Sequence, residues 1–574
     1  MQLYQFTLAV ILLPIIGAAK VKKPVLNGWY PCADNTFSDG GSSDDQSAEC
    51  ATFRAPLCYP GICETPQFAN PTVNIFVKRI LATKGDPKTA SNVWFLQGGP
   101  GEASTDLEIM MTTLYTELKA TVNVYTMDHR GTGRSTVLDC VAAQATTTGS
   151  PFGSEVKPSE VPACAQALET EYGDLASFSI TSAATDLTTF ISNFTNGAST
   201  TVYGVSYGTV LVERVMHLNP PEVTGYVLDG VATTSGASAD KFEYLSNWDA
   251  YFGEVGEHFL SLCKIDASCN AYFKKPNTLR KTLQKVLTSI DKHPNSTFAA
   301  MMNELVAPVP NAPPSKKIKS MLGEMLQDEQ SRKLIPPLIY RLNRREDRDV
   351  EFVKLCVAIA QKSAQNRDEG TVFASNLLYH LIVFSEMWEH PQPSMSVMKS
   401  RFNNYGISYG TYWMPTWYCA FSKEKSPVCD KLGYGNYPAN GIIYERDEYW
   451  NKSATIPSQA SVLIMSSKLD AQTPHKYAEY LLEALDGDKK KLITFEYATH
   501  GTLMTTSLNS EDPSGSTCGV KILASYVKND GDLNALDKSC VKKMPAFSLK
   551  ILGNYTTYDA YEKAYSPEDQ GKST

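Results

Sequence analysis

The stretch TVYGVSYGTVLVERV, Thr201 to Val215, constrains this chain more than any other. A short β-branched and aromatic run leads into Gly204, Ser206 and Gly208 at alternate positions. An apolar helical run follows, stopped by Pro220 and Pro221. Glycine two residues to either side of a serine removes side chains that would collide where a strand turns sharply into a helix. The hydroxyl then stands clear of the sheet, at a helix N-terminus whose dipole favours negative charge. Ser206 is therefore the candidate nucleophile, and the turn demands a strand before it and a helix after it.

The rest of the chain supplies strands and helices in alternation. Thr72–Leu81, Asn92–Gly99, Thr121–Asp128 and Gly225–Gly230 read as strands. Ser182–Phe194 puts Ala184, Leu187, Phe190 and Ile191 on one helical stripe. From about residue 235 to 454 the helical period dominates. Thr278–Lys292 is the clearest case, with Leu279, Leu283, Val286, Leu287 and Ile290 on one face. Alternation returns with Ser461–Ser467, Pro474–Leu485, Lys491–Tyr497 and a helix after Cys518. The expected architecture is α/β, with a mostly parallel sheet covered on both faces. A helical cap (235–454) is inserted between the two core segments, 71–234 and 455–574. At 574 residues, 43% hydrophobic and 20% charged, the chain is long enough to hold such an insertion in a globular protein.

The N-terminus and the cysteines indicate the compartment. Phe6 to Ile16 is an apolar run too short to span a bilayer, and Gly17 and Ala19 follow it. Residues 1–19 read as a signal peptide cleaved after Ala19, and no other stretch is long and apolar enough to span a membrane. Residues 20–70 read as a disulfide-pinned arm. Thirteen cysteines suit an oxidising, extracellular setting. Pairing neighbours gives Cys32–Cys50, Cys58–Cys63, Cys140–Cys164, Cys263–Cys269, Cys419–Cys429 and Cys518–Cys540. Cys356 is left over, on a helical face with Phe352, Val353, Ile359 and Ala360, as a buried free thiol. Asn193, Asn295, Asn451 and Asn554 begin glycosylation sequons. A net charge of −8 argues against nucleic acid as a partner, because nothing would neutralise the phosphates.

A serine hydroxyl is a weak nucleophile without a base. Asp470 ends the run SVLIMSSKLD, and His500 follows LITFEYAT and precedes Gly501. Acid and base each follow a strand, in the order Ser206, Asp470, His500. His475 shares the Asp470 loop but starts a helix, and His129 precedes the nucleophile. The glycine-rich loop Leu96–Ser104 follows a strand, so the Gly99 N–H can converge with that of Tyr207 on a tetrahedral oxyanion. An ordinary Gly-Pro turn is the alternative there. In DHRGTGRST, Asp128 and Arg130 read as a structural ion pair between loops. The sequence has no HExxH or similar cluster, and this chemistry requires no metal or cofactor.

Four segments together, QGGPG, MDHRGTGRS, GVSYG with LDG after it, and LDAQTP…THG, carry a resemblance. They resemble the proline-iminopeptidase/tripeptidyl-aminopeptidase type of α/β-hydrolase, peptidase family S33, over about Val73–Gly230 and Val462–Cys540. Secreted tripeptidyl-type members have a late cysteine pair resembling Cys518 and Cys540. The resemblance implies an α/β-hydrolase fold and an exopeptidase acting at peptide N-termini, with Ser206, Asp470 and His500 as triad. Such enzymes hold the substrate α-amine with acidic cap residues. LIVFSEMW (Leu381–Trp388) lies comparably and offers Glu386, departing from the family at Phe384, where Cys is frequent, and in having Glu for Asp. A solvated helix glutamate is the other reading. Trp388, Trp413 and Trp417 read as core packing. The rival functions are a secreted esterase or lipase with the same triad, and a catalytically silent binding protein of the same fold.

Overall fold

Side chains that alternate between two apolar layers build the central sheet. The computed structural model describes residues 25–37, 48–149, 155–232, 235–275, 277–304, 312–365, 372–509 and 515–551. The proposed leader, Asn554 and the C-terminal end lie outside them. The strands are β1 (Val25–Leu26), β2 (Tyr30–Cys32), β3 (Ala48–Pro56), β4 (Thr72–Ile80), β5 (Asn92–Leu96), β6 (Asn123–Asp128), β7 (Thr200–Val205), β8 (Val223–Asp229), β9 (Ser461–Ser467) and β10 (Lys490–Phe495). They lie in the order β1-β3-β4-β6-β5-β7-β8-β9-β10, with β2 also on β3. The run from β6 to β10 is parallel throughout. β1 to β4 pair antiparallel at one edge.

Both faces of the parallel strands are buried, as their apolar composition requires. Trp94, Leu96, Val202, Leu228 and Ile464 face one core. Their neighbours Val93, Phe95, Tyr203, Val205, Val227 and Leu463 face the other. The fold is that of an α/β-hydrolase: a mostly parallel sheet with the Ser206 turn at the C-terminal end of a central strand.

Two local expectations are corrected. Part of the segment read as an arm is sheet: β3 pairs with β4 from Glu49↔Arg79 to Pro56↔Thr72. Asp128 and Arg130 do not pair with each other. Arg130 is wholly buried and holds Asp186 through Nε at 2.7 Å and Nη2 at 2.6 Å. Asp128 instead takes Arg134 Nε at 2.8 Å and the Ser104 N–H at 2.8 Å, tying the glycine-rich loop down. Burial opposes ionisation of Asp128, but Arg134 overrides it and holds the carboxyl below the usual carboxylate range.

The helices between β8 and β9 run from Trp248–Ser261 to Pro427–Leu432. They pack as two groups. Side chains from Phe252 to Ala360 form a second core, joined by Ile407, Leu469, Ala471 and Leu549, into which Leu279, Leu283, Val286, Leu287 and Ile290 all point. Those of the helix Asn376–Glu386 and of Pro415–Ser422 instead join one core of the sheet. Trp388 is fully buried there, and Trp413 and Trp417, partly buried, pack against the same core. The six expected disulfides are all present. Cys356 is a buried free thiol whose pKa burial pushes up. Asn193 and Asn295 are exposed, and Asn451 is half-buried.

Candidate active site

The loops after β5, β7, β9 and β10 gather at the C-terminal rim of the sheet. Ser206 follows β7 with φ 57° and ψ −129°, a left-handed conformation that costs a non-glycine residue on the order of 1–3 kcal/mol. The helix Tyr207–Leu218 begins at the next residue. The flanking glycines are required by close approach. A Cβ at Gly208 would lie 2.6 Å from the Leu96 carbonyl oxygen, and one at Gly204 would overlap the Gly208 backbone. Ser206 is half-buried rather than enclosed.

Asp470 is fully buried just beyond β9. Its Oδ1 accepts the N–H groups of Gln472 and Thr473, both at 3.0 Å. Its Oδ2 accepts the Thr473 hydroxyl at 2.8 Å and lies 2.8 Å from His500 Nδ1. An ionised carboxylate only accepts, so this contact puts the His500 proton on Nδ1 and leaves Nε2 free to accept. Burial alone would lower the His500 pKa, but the Asp470 charge beside it outweighs burial and raises it above its ordinary value.

Asp229, at the end of β8, joins these parts, and sequence reasoning did not single it out. Its carbonyl oxygen accepts the Ser206 N–H at 2.9 Å. Its carboxylate takes the N–H of Thr502 at 2.9 Å, the Thr502 hydroxyl at 2.8 Å, the N–H of Leu503 at 2.8 Å and the Tyr203 hydroxyl at 2.8 Å. The next residue, Gly230, faces the imidazole: a Cβ there would lie 3.0 Å from His500 Cε1. Ser206 and the His500 loop thus border one strand end. A lone carboxyl closing the apolar strand GYVLDG was the available sequence signal.

On the other side of Ser206 stands the loop after β5. Gly98 packs on the serine, for a Cβ there would lie 2.8 Å from Ser206 Cβ. Gly99 adopts φ 108° and turns the chain. Tyr207 is the first residue of its helix, so its N–H belongs to the donors that no helical carbonyl satisfies. Gly101 O accepts the N–H of Ser375 at 2.8 Å and the Thr132 hydroxyl at 2.7 Å, so the loop is bound to the N-cap of the cap helix Asn376–Glu386.

Of the two readings of Glu386, the solvated one is corrected. The residue is neither solvated nor unoccupied: its carboxylate is buried, with Arg214 Nη2 at 2.8 Å and the Tyr444 hydroxyl at 2.7 Å. Arg214 belongs to the helix that Ser206 starts, so Glu386 sits in a core ion pair in which one guanidinium is shared with Asp447. A different acid is unpaired. Glu243, 1% exposed, has no partner for Oε2. Burial first, and then the Asp470 charge, push its pKa well above the carboxylate range, with Lys476 opposing. Nothing in SADKFEYL distinguishes Glu243 from a surface acid.

Among the described residues, neither His475 nor His129 hydrogen-bonds Asp470. His475 begins the helix His475–Ala484. His129 is 3% exposed, its ring 5.7 Å from that of Tyr207, and burial lowers its pKa to about 4. Among the described residues no group of three or more His, Cys, Asp or Glu could hold a metal ion.

This fold and rim define an α/β-hydrolase. Residues 443–540, which carry Asp470 and His500, match the family model described as TAP-like protein. A search of curated proteins finds no match. Among solved structures, the chain is similar to an esterase from Exiguobacterium antarcticum at 13% identity and TM-score 0.30, over 80% of this chain and 98% of that one. It is similar to the proline iminopeptidase of Mycobacterium smegmatis at 12% identity and TM-score 0.30, over 82% and 98%. It is also similar to an epoxide hydrolase from Vigna radiata at 11% identity and TM-score 0.29, over 77% and 93%. The fold assignment rests on this chain's own strand order.

Proposed function

We propose that the chain is a secreted serine exopeptidase that cleaves peptide bonds near the N-terminus of its substrates. The observation that supports it most is the His500–Asp470 contact at 2.8 Å, on a loop packed at the same strand end as Ser206. His500 Nε2 takes the proton from the Ser206 hydroxyl as its oxygen attacks the scissile carbonyl, then returns that proton to the leaving amine. Asp470 holds the tautomer and stabilises the imidazolium. The Gly99 and Tyr207 N–H groups receive the oxyanion. Water, activated by the same imidazole, resolves the acyl-enzyme. Six disulfides support the extracellular assignment.

The exopeptidase reading is supported by Glu243. A buried carboxyl without a partner is costly, and a substrate ammonium beside it would supply the missing charge. Glu243→Gln is expected to raise KM for free-amine peptides roughly 10- to 100-fold. Hydrolysis of a small aryl ester should change little. Equal losses on both substrates would assign Glu243 to structure instead.

A panel of peptides with free and acetylated N-termini tests the function itself. An exopeptidase loses the blocked peptides, whereas an esterase is indifferent to the block and prefers esters. The esterase reading is retained because the same rim could attack either acyl group.

The raised His500 pKa sets the pH profile. Only the neutral imidazole can act as base, so kcat/KM should fall as pH drops through a value above the usual 6.5 of histidine. Asp470→Asn removes the charge that raises it, and the residual activity should show this acid limb moved to lower pH. A limb that stays in place excludes His500 as the titrating base.

A further inference from the structure

Four arginines are buried among the described residues: Arg130, Arg214, Arg332 and Arg341. Three of them face carboxylates, namely Arg130 with Asp186, Arg214 with Glu386 and Asp447, and Arg341 with Asp349. Arg332 is the exception. It is 4% exposed, yet among the described residues no carboxylate pairs with it. Its Nη2 donates to the Tyr497 carbonyl oxygen at 2.6 Å, and its Nη1 has no hydrogen-bond partner. Glu329 lies 3.6 Å from Lys333 Nζ instead. Burial lowers the guanidinium pKa to about 10, with Glu329 and Asp328 opposing only in part.

The unpartnered group lines a cavity of about 200 Å³ where three parts of the chain meet. The cap turn gives Glu329, Arg332 and Lys333, the stretch beyond His500 gives Thr505 and Ser507, and the C-terminal segment gives Ser548 and Lys550. Three cations thus stand against one acid, beside the Ser548 hydroxyl. A fork of N–H groups with local positive charge is what a planar or tetrahedral oxyanion matches.

We propose that this cavity is a binding site for a small oxyanion, a carboxylate, sulfate or phosphate, held by Arg332 Nη1 and the cationic rim. The site is separate from Ser206, and the proposal does not rest on the peptidase reading. An anion there also bridges the cap to the loop of His500, because the other arm of Arg332 holds Tyr497. Occupancy therefore stabilises the fold as any native-state ligand does.

The test is thermal unfolding of the full chain titrated with sodium sulfate, sodium phosphate, and one short peptide with either a free or an amidated C-terminus. Ionic strength is held constant with sodium chloride. The expected result is a saturable rise in Tm that Arg332→Gln weakens at least about tenfold in apparent affinity. Lys550 is exposed at the rim, so Lys550→Glu keeps the fold and should weaken the anion severalfold. A response to the inorganic ions identifies a free anion as the ligand. A response confined to the free-carboxylate peptide identifies a peptide terminus. No saturable response to any of them overturns the proposal. So does a response unchanged in Arg332→Gln or, should that variant not fold, unchanged in Lys550→Glu.

Discussion

Ser206→Ala should lower turnover about 10⁴- to 10⁶-fold while leaving the protein folded. The loss is that large because His500 and Asp470 have no function in this chemistry without an oxygen to deprotonate. Labelling by a fluorophosphonate probe should disappear in the same variant. The fold is expected to survive, since the hydroxyl makes no hydrogen bond that holds the turn; the backbone N–H of Ser206 does, to Asp229 O. A second substitution separates backbone from chemistry. Ser206→Gly relieves the left-handed conformation and should unfold later than Ser206→Ala, by about 1 kcal/mol or more. Peptide hydrolysis by Ser206→Ala close to that of the unmodified chain would reject the nucleophile.

Asp229→Asn should be the most damaging change outside the triad. All four donors to this carboxylate are buried, and an amide would point a donor of its own at one pair of them. Stability should fall by about 2–4 kcal/mol. The sharper readout is kinetic. Thr502 and Leu503 carry the His500 loop, so a displaced imidazole should lower kcat about 100-fold at temperatures where the variant is fully folded. KM should change little, because Asp229 lies behind the rim and not in front of it. A variant that is less stable but retains full kcat would reduce Asp229 to a core residue.

What could be read from the chain follows the range of the interactions involved. The Ser206 turn, the parallel strands and the helix Thr278–Ile290 depend on neighbours two to four residues away, and periodicity reports those directly. The disulfides were legible for the same reason, because their partners are near in sequence. β3 was not legible as sheet. AECATFRAP carries a cysteine, two charged residues and a proline, and becomes a strand because β4 offers it an edge. Glu386 shows the same limit at the site. Its position after an apolar helix was visible, but the arginine that claims it lies 172 residues away. Asp128 and Arg130 were seen as ionic and were joined to each other, whereas the fold gives each a separate partner.

The bridges have one more property. Every disulfide joins a cysteine to the very next cysteine along the chain, with only Cys356 passed over. For a polypeptide threaded N-terminus first into an oxidising lumen, the correct mate is therefore always the next thiol to emerge. Oxidation can proceed in order of arrival, without an isomerase to undo earlier errors. The one hazard in the series is the interval in which Cys356 has emerged and Cys419 arrives before Cys429. Cys356 is buried in the folded chain, so packing of its helix withdraws it from that exchange.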